Sequence, residues 1–135
     1  MQATIEWQQK MTFRASDERG HSLILDAPAM VGGDDNGFRP KQLLLDALGG
    51  CTAMDVISIL TKMGQVPKQF RVEVSAQEAS EHPKELSHFH LHYIVSGEVA
   101  EEKLKRAIEL SQQRYCPVSA MFGRFTTISY DISYQ

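Results

Sequence analysis

"LLLDALGGCTAMDVISIL", residues 43–60, decides the fold. Leu43, Leu44, Ala47, Leu48, Cys51, Met54, Ile57 and Leu60 repeat at helical spacing, and Leu45, Ala53, Val56 and Ile59 carry apolar surface nearly all the way round. A helix apolar on every side belongs inside a molecule rather than on its surface. Pro40 suits the first turn, Gly64 the stop and Pro67 the exit, which predicts a helix over about residues 40–63. Gly49 and Gly50 each cost roughly 0.5–1 kcal/mol in a helix interior relative to alanine. They make sense where another backbone or a ligand comes close.

Short alternating runs flank this helix. Ile5 and Trp7, then Met11, Phe13 and Ala15, alternate with polar residues; "DERG", residues 17–20, signals a turn and "HSLILD" a third strand. Residues 27–39, "APAMVGGDDNGFR", form a long loop of a kind that often carries function. Beyond the helix, Phe70–Ala76 and His88–Ser96 alternate, with "SEHPKE" connecting them as in a hairpin. Residues 100–115 read as an amphipathic helix, "CPVSAMFG" restarts or kinks the chain, and "RFTTISYDISY" supplies a last strand. The order β-β-β-α-β-β-α-β implies one α+β domain over residues 1–135, with largely antiparallel sheets and a central helix.

Composition narrows the function classes. The chain has 135 residues, 42% hydrophobic and 23% charged, with a formal net charge of −3. That balance gives no general attraction to nucleic acid or to an anionic membrane. "MQATIEWQQK" is not an export signal, and Asp46 and Asp55 interrupt the longest apolar run, so neither secretion nor a membrane span is expected. The expected compartment is the reducing cytoplasm. No P-loop, G-x-G-x-x-G or G-x-S-x-G motif occurs, and "GGDDNG" lacks the spacing of a calcium loop. His88, His90 and His92 share one strand face, where three histidines read first as the polar side of a half-buried strand and second as metal ligands.

Two cysteines remain, Cys51 and Cys116, forming neither a C-x-x-C pair nor a zinc-type spacing with histidine. In a reducing compartment a static disulfide is not expected, whereas a transient catalytic one is compatible. Pro117 can open a new helix but not continue the preceding one, which places Cys116 at or near an N-cap, facing free N–H groups that favour thiolate. Cys51 sits in mid-helix without such donors, with Asp55 one turn on, so an active Cys51 requires a cation from elsewhere. Arg14, Arg19 and Arg39, ahead of the helix, are the candidates to stabilise charge on a substrate oxygen. Each cysteine also reads as a plain buried core residue.

"RPKQLLLDALGGCTAMDVISIL", "GHSLILDAP" and "CPVS" together resemble the OsmC/Ohr family of cysteine-dependent hydroperoxide reductases, over nearly the whole chain and closest to its YhfA-type branch. The resemblance implies an intertwined homodimer with antiparallel sheets around the long central helix. It assigns Cys51 as the peroxide-attacking thiol and Cys116 as the resolving thiol, reversing the order that capping alone suggests. Ohr-type enzymes carry Glu after the helix-opening proline, where this chain has Lys41, and their Gly-Gly-Arg motif is absent, with Lys10 near that point. Arg14 or Arg39 would have to take the arginine's place. The implied activity is reduction of organic hydroperoxides, with an external dithiol as reductant and no metal or bound cofactor. The rival is a dimer of the same fold binding a small hydrophobic ligand, with both cysteines structural.

Overall fold

A computed structural model describes residues 1–135. The chain divides into two compact units, Met1–Leu44 and Leu45–Gln135.

In the first unit, β1 (Ala3–Gln9), β2 (Thr12–Asp17) and β3 (Ser22–Leu25) form an antiparallel meander in that order. Its register sets Ile5 opposite Ala15 and Phe13 opposite Leu25. The Asp17 carboxylate closes the β2–β3 turn by accepting the amides of Arg19 and His21, both at 2.9 Å. The long loop is built rather than loose. Asp26 is 3% exposed, and its carboxylate accepts the amides of Ala27, Asp34 and Asn36 at 2.8, 3.2 and 3.1 Å. Removal from water pushes its pKa up, but these N–H donors, with the Thr12 side chain, outweigh that and hold it below the ordinary value. The loop folds back so tightly that a Cβ on Gly33 would lie 1.9 Å from the Ala27 carbonyl oxygen.

The long helix α1 (Pro40–Lys62) matches the predicted span to within a residue, and Gly64 ends it at φ 70°. The Gln65 amide returns to the Leu60 carbonyl at 2.8 Å and satisfies the frayed end. Within the single chain the helix is fully buried along one ridge. Only the ridge Leu48, Thr52, Val56, Leu60, with Gly49, is buried, whereas Met54 is 75% exposed. Leu45 and Ile59 flank the ridge half-buried against the core, while Leu44 and Met54 face outward. By length and composition α1 is also apolar enough to cross a membrane, despite Asp46 and Asp55. Its inner ridge, however, belongs to the protein core.

In the second unit, β4 (Gln69–Glu78), β5 (Leu86–Ser96) and β6 (Ile128–Tyr134) form a sheet in the order β4-β5-β6. β4 pairs antiparallel with β5, setting Val72 opposite Tyr93. β6 lies parallel to β5, the one departure from the antiparallel expectation. Parallel neighbours need a crossover, and the chain makes it through α2 (Glu101–Leu110), a π-helical turn (Ser111–Tyr115) and α3 (Pro117–Phe122). Phe89, Leu91, Tyr93 and Val95 point to one face of β5 and meet α1's ridge and Leu104, Ala107 and Ile108 of α2 in the core. Gly49 has its reason here: a Cβ would lie 2.7 Å from Val74 Cγ2 on β4. Nothing within the chain approaches Gly50.

Candidate thiol site

The crossover closes a gap of 65 residues. Cys51 and Asp55 stand one turn apart on α1. The π-helical turn delivers Cys116 to them, and the two sulfurs and an Asp55 carboxylate oxygen all lie within 4.8 Å of one another. Cys116 is 2% exposed and caps α3, its Sγ accepting the Ser119 amide at 3.3 Å with Pro117 at the first helical position. That is the N-cap expected from the Cys-Pro pair. Cys51 is half-buried, shares a hydrogen bond with Cys116, and accepts one from the Val118 amide.

Electrostatics hold Cys51 as a thiol while both are reduced. Burial is the largest cause, the hydrogen bond with Cys116 the next, and Asp55 adds like charge; the Val118 amide offsets only part, and the Cys51 pKa is pushed up to about 11. The candidate arginines are engaged inside the first unit. Arg39 donates to the Asp35 carboxylate at 2.6 Å and to the Gly37 and Asp26 carbonyls at 3.1 and 3.3 Å. Arg14 donates to Ser22 Oγ at 3.3 Å, and Lys10 pairs with Asp34 at 2.7 Å. His90 and His92 both bond Asp131 on the open face of the second sheet, while His88 bonds Ser87.

A buried polar network runs behind the thiols, and sequence reasoning missed it. Thr52 Oγ1 lies 2.7 Å from Tyr93 Oη, 2.9 Å from Ser111 Oγ and 3.0 Å from Gln112 Nε2. Ser111 Oγ also donates to Asp55 Oδ2 at 2.9 Å, and Gln112 Nε2 to Tyr93 Oη at 3.1 Å. Hydroxyls carry one hydrogen each. Ser111 Oγ has one hydrogen for two acceptors, Thr52 Oγ1 and Asp55 Oδ2, and Tyr93 can donate to Thr52. Every member of the network has a partner within it, and the network reaches the carboxylate beside the sulfurs. Burial pushes the Tyr93 pKa up to about 12, so its phenol stays a donor. The signal available in the sequence was Thr52 itself, a hydroxyl on the ridge that otherwise reads Leu48, Val56, Leu60. A cavity of about 520 Å³ opens beside Asp55, walled by Ile59, Lys62, Met63, Leu110 and Tyr115.

Comparison with known proteins agrees with this architecture. The family model for OsmC-like protein matches residues 32–131. Protein YhfA of Escherichia coli (strain K12) is 32% identical over 131 residues, 96% of this chain and 95% of its own length. A hypothetical protein from Aquifex aeolicus VF5 has a crystal structure 28% identical in sequence that superposes with a TM-score of 0.83, covering 99% of this chain and 96% of that one. An organic hydroperoxide resistance protein OsmC from Legionella pneumophila shares the fold at a TM-score of 0.67 and 13% identity, covering 100% of this chain and 97% of that one. With an OsmC-type helix, a Cys-Pro cap and most of the chain matched, this protein belongs to the OsmC-like family.

Proposed function

We propose that the protein is a thiol-dependent peroxidase that reduces organic hydroperoxides in the cytoplasm, working as a homodimer. The observation that carries this reading is the approach of Cys51 and Cys116 to within 4.8 Å, one thiol half-buried and the other shut away. Its greater accessibility supports Cys51 as the attacking sulfur. Its thiolate takes the distal peroxide oxygen, the O–O bond breaks, and the alkoxide leaves as alcohol after gaining a proton. Cys51 is then a sulfenic acid. Cys116 condenses with it, forming the S–S bond and releasing water, and an external dithiol returns both sulfurs to thiols.

The thiolate must be generated against the raised Cys51 pKa. The Val118 amide supports the charge, and the Asp55 carboxylate, held by Ser111, stands where it can accept the departing proton. The cavity beside Asp55 supplies apolar wall for an organic tail, supporting organic hydroperoxides over hydrogen peroxide. The fold shared with a protein named for organic hydroperoxide resistance supports the same class.

The test is intact mass under denaturing alkylation after one equivalent of cumene hydroperoxide, with hydrogen peroxide alongside. Loss of two hydrogens mapped to Cys51–Cys116, faster with the organic peroxide, is expected. Two thiols still alkylatable after prolonged exposure would remove the peroxidase. The cavity also favours the rival reading, a hydrophobic-ligand module, which Cys51→Ser separates: a binding module keeps its ligand affinity, whereas a peroxidase loses turnover.

A further inference from the structure

Two thiols and one carboxylate converge from α1 and the α3 cap, and they form a donor set of a recognisable kind. We propose that Cys51, Cys116 and Asp55 bind a Zn²⁺ ion, one per chain. This departs from the metal-free expectation, which rested on the spacing in sequence and on the thiol chemistry that the family resemblance implies. Nothing in the linear pattern placed Asp55 against Cys116.

Geometry comes first. All three donor atoms lie within 4.8 Å of one another. Two Zn–S bonds of about 2.3 Å at a tetrahedral angle set the sulfurs about 3.8 Å apart, so the site closes on an ion by a side-chain adjustment of at most about 1 Å. The surroundings resemble those that support metal ligands. The Val118 amide donates to one sulfur and the Ser119 amide to the other, while Ser111 Oγ holds the Asp55 carboxylate through Oδ2 at 2.9 Å. Such outer contacts hold ligands in place and tune their charge. Ser119, whose amide bonds Cys116 Sγ, is 4% exposed and its hydroxyl has no hydrogen-bond partner, an unspent polar group on the residue that caps the sulfur.

The donor chemistry selects the ion. Two thiolates alone suit Cu(I), but a carboxylate is a hard ligand that Zn²⁺ accepts readily. Mg²⁺ and Ca²⁺ require oxygen shells that this site cannot furnish. Binding displaces the two thiol protons and ties up both sulfur nucleophiles, so zinc occupancy and peroxide reduction exclude each other. The inference uses the same two thiols as the proposed peroxidase but does not depend on their reacting with peroxide.

The experiment is an anaerobic titration of the reduced, chelator-stripped full chain with Co²⁺ as an optical stand-in for Zn²⁺. Expected are one Co²⁺ per chain, sulfur-to-cobalt charge-transfer absorption, the intense ligand-field bands of tetrahedral coordination, and displacement by Zn²⁺. Asp55→Asn should weaken binding at least about tenfold while retaining charge transfer, and Ser111→Ala, which keeps all three donors, should weaken it about tenfold. Circular dichroism confirms that each variant is folded. Binding without thiolate charge transfer, an octahedral spectrum, one ion per two chains, or unchanged affinity in both variants would overturn the site. No peroxide enters this assay, so a protein that binds Co²⁺ as described but resists cumene hydroperoxide would refute the peroxidase and keep the metal site.

Discussion

Thr52→Val tests whether the hydroxyl network is what fixes the crossover against α1. Threonine 52 is completely buried, and valine fills nearly the same volume, so no cavity opens. The substitution removes the contacts to Tyr93, Ser111 and Gln112 at 2.7, 2.9 and 3.0 Å. It orphans none of them, because Tyr93 and Gln112 still bond each other and Ser111 still bonds Asp55. Each hydrogen bond contributes about 0.5–1.5 kcal/mol net. Three of them, less the desolvation cost that valine avoids, give a destabilisation of about 2 kcal/mol. In a chain of this length that corresponds to about 6–8 °C in Tm. Urea unfolding at fixed protein concentration, followed by circular dichroism, reads it as a lower midpoint at unchanged slope. Combined with Ser111→Ala in a double-mutant cycle, the pair should couple by about 1 kcal/mol. A change under about 0.5 kcal/mol, or strict additivity of the two substitutions, would refute the network as an energetic unit.

Other consequences are open to measurement. In chelator-treated, reduced protein, Cys51 alkylation should keep accelerating with pH well past the ordinary thiol value of 9.0, toward about 11; Cys116→Ser removes one cause of the shift and should move the midpoint down, and a plateau near the ordinary value would contradict the site electrostatics. Asp26 has a depressed folded pKa, so its stabilisation is present above 3.8 and lost as pH falls through the folded value; Asp26→Asn should lower Tm near neutrality and flatten the acid limb of the stability profile. Gly49→Ala drives a methyl to 2.7 Å from Val74 and should cost about 1–3 kcal/mol. Gly50→Ala meets nothing within 4 Å and should instead stabilise by about 0.5–1 kcal/mol, which thermal unfolding of the two variants compares directly.

Local periodicity was enough for the helix from Pro40 and for all six strands, because each is a run whose pattern needs no distant partner. The Cys-Pro cap was legible for the same reason: proline's missing N–H is a local fact. What could not be read was the pairing of β6 beside β5, since a strand's alternation does not record its neighbour's direction. The apolar residues of the helix show what can be buried, and one chain fully buries a single ridge of them. Ser111 and Gln112 escaped as site residues because polar side chains at a helix end look solvated until the crossover brings them to Thr52 and Tyr93. Asp55 had been weighed only as a charge opposing Cys51, and its part in a three-donor cluster depends on a residue 61 positions later, as 116 − 55 shows.

The parallel seating of β6 has a bearing on how the thiol pair comes into being. Cys116 lies on a segment tethered at one end by α2 and at the other by β6, so its position beside Cys51 is enforced only after both tethers are in place. A growing polypeptide that has reached α3 already contains both cysteines but holds the second from one side. Until the residues of β6 are made and docked, the sulfurs have no imposed partner. The closeness of the two sulfurs is therefore a property of the finished fold rather than of either segment alone.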